Sequence, residues 1–120
     1  NVALGGTLIQ DIPSQKPDAI CHKQISPRTE TTHKVTIFPG KLREITGADT
    51  IFVNSFHHQA IDRVAEELME CAVSSDGIVE GLEHPFKKYC VSVQWHPEEL
   101  AIVKDEYAVK LFKSFIEACY

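Results

Sequence analysis

The sequence has no basic run longer than the pair Lys87-Lys88. It therefore lacks the positive stripe that a nucleic-acid surface requires. It has no apolar stretch near the ~20 residues of a membrane span. Asn1 to Gly6 offer neither a basic segment nor an apolar core, so no signal peptide is visible. The cysteines Cys21, Cys71, Cys90 and Cys119 form no Cys-x-x-Cys pair, which excludes a zinc ribbon. Four cysteines in 120 residues are also too sparse for a disulfide scaffold. The expectation is buried, reduced thiols in a cytoplasmic protein. Gly-x-Ser-x-Gly is missing, and there is no internal repeat. What remains is ordinary for a folded chain: 43% hydrophobic residues, 24% charged residues and a formal net charge of −5.

Periodicity and turn residues predict the elements. Asn1 to Ile9 reads as a helix end broken by Gly5-Gly6. Residues 11–32 hold Pro13, Pro17 and Pro27 among polar residues and predict a long irregular segment, of the kind that is usually functional or a lid. The alternating, β-branched stretch from His33 to Phe38 predicts a strand. Pro39-Gly40 predicts a turn, and Lys41 to Ile45 a short helical turn closed by Gly47. Further strands are predicted over Thr50–Asn54, Leu68–Val73, Ile78–Glu83 and Tyr89–Trp95, with a hairpin turn at Asp76-Gly77. Val103, Tyr107, Leu111, Phe112, Phe115, Ile116 and Cys119 recur at steps of three and four and predict one apolar face of a final helix. The mixture of strands and helices gives an α/β or α+β fold.

Two polar clusters follow predicted strands. In Val91–Glu98, strand alternation places His96 at a strand terminus, where α/β folds put their ligands. Pro97 ends the strand, and Glu98 can reach back to the imidazole. A carboxylate on one ring nitrogen fixes the tautomer and leaves the other to act on a nucleophile. Most His-x-Glu pairs are surface or packing features. The second cluster is Asn54-Ser55-Phe56-His57-His58-Gln59, whose polar groups suit a zwitterionic substrate. It also reads as a capped loop started by Asn54 or Ser55. Adjacent histidines rarely face one ion, so no metal is expected from His57 and His58. No cysteine has a glycine within two positions, and no nucleophile elbow is present.

The ordered motifs Asn1–Asp11, His22-Lys23-Gln24, Pro27–Val35, Val53–Ile61, Asp76–Glu80 and Val93–Glu98 are similar to γ-glutamyl hydrolases. That branch, which includes γ-glutamyl-γ-aminobutyrate hydrolase, lies within the class I glutamine amidotransferase-like group. The resemblance implies an α/β, flavodoxin-like fold with a mostly parallel or mixed sheet flanked by helices. It implies a Cys-His-Glu triad that cleaves γ-glutamyl amides through a thioester, with His96 as base and Glu98 as orienting carboxylate. Asn54, Ser55, His57 and Gln59 fall at positions near the substrate pocket, and His58 at a variable one. In the family the nucleophile elbow precedes the residues matching Asn1 to Gly6, and no cysteine here matches it. The expectation is that residues 1–120 are the C-terminal part of a single hydrolase domain, inactive alone. The implied partners are a small γ-glutamyl substrate and either a second copy of the chain or the N-terminal half, with no nucleic acid, membrane or cofactor. Two alternatives carry a different function: a non-catalytic binding module on a decayed scaffold, and a glutaminase that supplies ammonia to a synthase.

Overall fold

The computed structural model describes residues 1–120. Strand formation follows the alternation of the sequence. In β2 (His33–Ile37) the residues His33, Val35 and Ile37 point inward while Lys34 and Thr36 face solvent. In β3 (Thr50–Val53) Ile51 and Val53 do the same. The remaining strands are β1 (Leu8–Ile9), β4 (Ala60–Ile61), β5 (Met69–Ser74), β6 (Val79–Glu83) and β7 (Val91–Val93). They form one seven-stranded sheet in the order β1-β4-β6-β5-β2-β3, with β7 beside β6. All five residues of β6 are buried, and this strand carries three neighbours, β4, β5 and β7.

The helices are α1 (Ile12–Gln15), α2 (Lys41–Thr46), α3 (Pro97–Ile102) and α4 (Glu106–Ala118). Asp11 and Asp105 start α1 and α4 by accepting the backbone N–H of Ser14 and Ala108. Helix α2 is capped from a distance. The Glu83 carboxylate accepts the N–H groups of Lys41 and Leu42, each at 3.2 Å. Gly40 makes this possible, because its φ is +156° and a Cβ there would strike the Glu83 carboxylate. The main core contains Val35, Ile37, Leu42, Ile51, Val53, Cys71, Ala72, Trp95, Leu100 and Ala108. A second, smaller cluster joins Ile9, Ile12, Ala60 and Ile78.

The α/β fold agrees with expectation, and so do the turn at Asp76-Gly77 and the αL cap of α2 at Gly47. Every strand ladder within these residues is antiparallel, where the resemblance implied a mostly parallel or mixed sheet. The connections explain this: parallel pairing needs a crossover of a dozen or more residues, usually a helix. Here β5–β6 and β6–β7 are joined by short turns. Strands β1 and β4 and helices α1 and α3 were not anticipated: Leu8-Ile9 and Ala60-Ile61 are too short to show periodicity, α1 is a single turn inside the segment 11–32 read as irregular, and α3 begins directly at Pro97. The predicted apolar face of the last helix is only partly covered. Tyr107, Ala108 and Leu111 pack against the core, but Phe112, Phe115, Ile116 and Cys119 are exposed, and Val103 precedes the helix. Buried thiols hold for Cys71 alone; Cys21, Cys90 and Cys119 are unpaired and exposed.

Candidate active site

His96 stands just beyond β7 and forms the N-cap position of α3, with Pro97 as its first residue. Its neighbours Trp95 and Pro97 are both buried, so the backbone that carries the imidazole is anchored on either side. The imidazole itself is about one-third exposed. Its Nδ1 lies 2.6 Å from Glu98 Oε1, a contact that sets the ring orientation and leaves Nε2 directed elsewhere. Burial of Glu98 opposes its ionisation, but the hydrogen bond from His96, a backbone hydrogen bond and the charges of His96 and Arg28 together outweigh it and lower the carboxyl below its ordinary value.

Asn54 holds this pair from behind. Its side chain is fully buried and is used on backbone groups. Oδ1 accepts the His96 N–H at 2.9 Å, while Nδ2 donates to the carbonyls of His96 at 3.0 Å and Arg28 at 2.7 Å. Ser55 is also fully buried, and its hydroxyl donates to the His22 carbonyl at 2.7 Å. Both residues were expected to shape a substrate pocket. Here both side chains bond to backbone groups beneath the site. Phe56 emerges between them and His57. Its ring packs edge-on against His96 with centroids 5.8 Å apart, and the Arg28 guanidinium lies 4.4 Å from its centre.

His57, His58 and Gln59 diverge. His57 turns inward, with Nδ1 2.7 Å from the Gln59 carbonyl. His58 is exposed and faces Asp11 at 3.2 Å. The Gln59 side chain is exposed and donates to Gln10 Oε1 at 3.0 Å. The opposite directions of His57 and His58 agree with the expectation that the two neighbours do not share an ion.

The irregular segment 11–32 is a strap tied to the strand-end loop. Gln24 is its centre. Its Oε1 accepts the Ser55 N–H at 2.6 Å, and its Nε2 donates to the carbonyls of Pro27 and Glu30, each at 3.0 Å. Lys23 pairs with Phe56 as an antiparallel bridge, and His57 N–H donates to the His22 carbonyl at 3.0 Å.

A second polar assembly lies in the interior; of its members the sequence singles out only His57, as a substrate-pocket residue, and its side chain is buried here against Glu80. Glu80 on β6 is fully buried. Its Oε1 lies 3.0 Å from His22 Nδ1, 3.4 Å from His33 Nε2 and 3.5 Å from His57 Nε2. None of these contacts has the alignment of a hydrogen bond, so both Glu80 oxygens and the facing ring nitrogens have no hydrogen-bond partner. On the far side of His22, Nε2 lies 2.8 Å from Asp76 Oδ2, which also accepts the Ile20 N–H. Burial opposes the ionisation of Glu80, yet the three imidazoles outweigh it and hold the carboxyl well below the carboxylate range. Burial alone would lower His22, and the Glu80 and Asp76 carboxylates raise it instead. The signals for this assembly were an inward histidine in β2 and the acidic residues Glu80 and Glu83 in a strand buried along its whole length.

The chain matches the family described as Peptidase C26 over residues 1–98. The Enterococcus hirae protein NtpR is 42% identical over 100 residues, covering 82% of this chain and 42% of that one. The γ-glutamyl-γ-aminobutyrate hydrolase PuuD of Escherichia coli is 33% identical over 130 residues, covering 98% of this chain and 48% of that one. This chain therefore spans about half the length of the curated relatives it matches. A crystal structure from Thermoplasma acidophilum superposes with a TM-score of 0.66 at 21% identity, covering 98% of this chain and 50% of that one. A glutamine amidotransferase structure from Thermotoga maritima gives 0.52 at 13% identity, covering 97% and 43%. These structures share the fold. With its strand-end His-x-Glu dyad and a family match over most of its length, the chain belongs to the Peptidase C26 family.

Proposed function

We propose that the protein carrying residues 1–120 hydrolyses γ-glutamyl amide bonds, with His96 as general base and Glu98 as its orienting carboxylate. The observation that carries this reading is the 2.6 Å contact between His96 Nδ1 and Glu98 Oε1 at the end of β7. Membership of Peptidase C26 and the likeness to a γ-glutamyl-γ-aminobutyrate hydrolase support the substrate class.

In this mechanism His96 Nε2 takes the proton of a cysteine thiol, and the thiolate attacks the γ-carbonyl carbon. The tetrahedral intermediate collapses to a thioester as the C–N bond breaks, and His96 gives its proton to the leaving amine. A water then loses a proton to His96 and attacks the thioester, releasing glutamate and regenerating the thiol. Glu98 stabilises the imidazolium in both halves of the cycle. The thiol is proposed to come from outside these 120 residues. Cys71 is unsuited, because burial in the core pushes it up to about 12. Cys21 directs its sulfur to the Lys23 carbonyl at 3.2 Å. Residues 1–120 are then the C-terminal part of one hydrolase domain, and the unpaired thiols fit a reducing, cytoplasmic setting.

The test is release of p-nitroaniline from γ-glutamyl-p-nitroanilide by the full-length protein and by His96→Ala. Turnover by the parent that falls by about three orders of magnitude in the variant supports the reading. Turnover that His96→Ala leaves unchanged overturns it.

A further inference from the structure

We infer that His22, His57 and Glu80, with His33 as a fourth donor, form a binding site for one divalent transition-metal ion of the Zn²⁺ type. This inference is independent of the hydrolase reading, since none of these side chains belongs to the His96–Glu98 pair.

The first support is the tautomers. His22 Nε2 is 2.8 Å from Asp76 Oδ2, an oxygen already shared with the Ile20 N–H, so it acts as a donor. That leaves Nδ1 as the lone-pair nitrogen of the neutral ring. His57 Nδ1 is 2.7 Å from a backbone carbonyl, which can only accept, so Nε2 carries the lone pair there. Both free nitrogens face the Glu80 carboxylate in the interior. Without protons on them these nitrogens would turn lone pairs toward the buried Glu80 anion and repel it, so the cluster needs positive charge at its centre, from ring protons or from a metal ion.

A carboxylate or a backbone carbonyl behind each ligating histidine is the usual outer shell of a metal site, where it fixes the ring and raises its basicity. His22 has the first and His57 the second. The spacing also fits. Metal–ligand bonds of about 2.0–2.1 Å in a tetrahedron place neighbouring donor atoms about 3.3 Å apart. The three nitrogens lie 3.0, 3.4 and 3.5 Å from Glu80 Oε1. The donor atoms of His22, His57 and Glu80 lie within 4.8 Å of one another.

Protons alone satisfy this cluster poorly. Each would have to lie along a nitrogen–oxygen line, and none of the three contacts is aligned for it. One central ion uses the donors that otherwise have no partner. The imidazole and carboxylate set suits zinc, cobalt and nickel better than calcium or magnesium. Four segments meet there: the strap at His22, β2 at His33, the loop after β3 at His57 and β6 at Glu80. A bound ion would fasten the strap and the Phe56 loop to the sheet, one residue from the ring that packs on His96.

The experiment loads metal-stripped full-length protein with zinc chloride or cobalt chloride and measures bound metal by mass spectrometry. About one ion per chain is expected, with visible cobalt absorption of four-coordinate intensity. His57→Asn and Glu80→Gln should lower zinc affinity about a hundredfold or more, while His58→Ala, which removes an exposed histidine, should leave it unchanged. For variants that do not fold, histidine NMR of the parent protein gives the same answer. Zinc should shift the ring signals of His22, His33 and His57 and leave those of His84 alone. A folded parent that retains no zinc, or one whose zinc shifts only His58 or His84, overturns the inference.

Discussion

Glu98 and Glu80 each hold imidazole nitrogens, but one pair sits at the surface and the other assembly lies in the interior. Glu98 is more than half exposed and pairs with one histidine at 2.6 Å. Glu80 is fully buried and faces three. Water screens the first pair, so its worth to stability is small and its ring remains accessible to a reacting group. The second is cut off from water, so the charge on Glu80 cannot be left alone without a large cost. The same residue types therefore do two kinds of work, and accessibility decides which. The surface dyad is suited to moving a proton, and the buried cluster to joining segments of backbone.

Removing one member from each assembly gives the largest contrast. His96→Ala should cost about three to four orders of magnitude in hydrolysis of a γ-glutamyl anilide. The unfolding free energy in urea should change by less than about 0.5 kcal/mol, because the side chain is partly exposed and tied to only one other group. Glu80→Ala should act in the opposite sense. It leaves a cluster of buried imidazoles without their carboxylate and should destabilise by about 3–5 kcal/mol in urea unfolding. If Glu80→Ala kept the parent midpoint, the interior cluster would not be joining anything.

Asn54 links the two regions, since it lies beside the Ser55–His57 loop and hydrogen-bonds the His96 backbone on both sides. Asn54→Ala strands the His96 N–H and two carbonyls. We expect a loss of about 1–3 kcal/mol for buried groups left unpaired. The imidazole would lose its fixed position, so kcat should fall more than KM rises, and Asn54→Asp should not rescue stability, because a carboxylate accepts the His96 N–H but has no donor for the two carbonyls. Equal stability with unchanged kcat would show that Trp95 and Pro97 alone hold His96.

Much of this contrast was legible in the sequence on the exposed side and little on the buried side. His96 and Glu98 could be found because a strand that ends at a proline fixes where the next side chains emerge. Strand β2 and helix α2 were legible for a similar reason: their alternation and glycine caps are local. The buried cluster draws His22, His33, His57 and Glu80 from four segments, and no local pattern encodes such a meeting. For Asn54 and Ser55, polarity at a strand end does not reveal whether a side chain faces a ligand or the backbone behind it, and in the structure both bond to backbone groups. The fold class was legible from the strand–helix mixture. The antiparallel β5–β6 pair was legible from the hairpin turn at Asp76-Gly77, but the wholly antiparallel sheet was not, because the pairings of β2 with β5, β4 with β6 and β1 with β4 join segments distant in sequence. Helix α4 misled in its last two turns, where apolar periodicity continues past the surface that covers it.

The cysteines extend the same contrast to another side chain. Cys71 lies in the core, and burial pushes its thiol up to about 12, so it stays protonated and out of reach at neutral pH. Cys21, Cys90 and Cys119 are exposed. Reaction of these residues with Ellman's reagent in native buffer should label the three exposed thiols quickly, and Cys71 only after addition of guanidinium. Peptide mapping identifies each site. Rapid native labelling of Cys71 would mean that the β5–β6 region opens far more easily than its packing implies.

The smallest effect is the stability contribution of the exposed dyad, and its sign follows from Glu98. Burial opposes ionisation of this carboxyl, but the hydrogen bond and charge of His96, a backbone hydrogen bond and the charge of Arg28 together outweigh it, so its pKa lies below the ordinary value of 4.5. A carboxyl whose pKa is depressed by folding contributes stability above its unfolded value. That contribution disappears as the pH falls through the folded pKa. Glu98→Gln should therefore melt slightly below the parent at neutral pH, and the difference should close under acid conditions below about 4.5, where the unfolded carboxyl begins to take up protons. Scanning calorimetry on both proteins across that range measures it. His96→Gln should abolish the pH dependence of the difference, because it removes the main group that favours the ionised carboxylate. A gap that stays constant with pH would mean that Glu98 is tied by packing instead of charge, and that the orientation of His96 must come from Asn54 and Phe56.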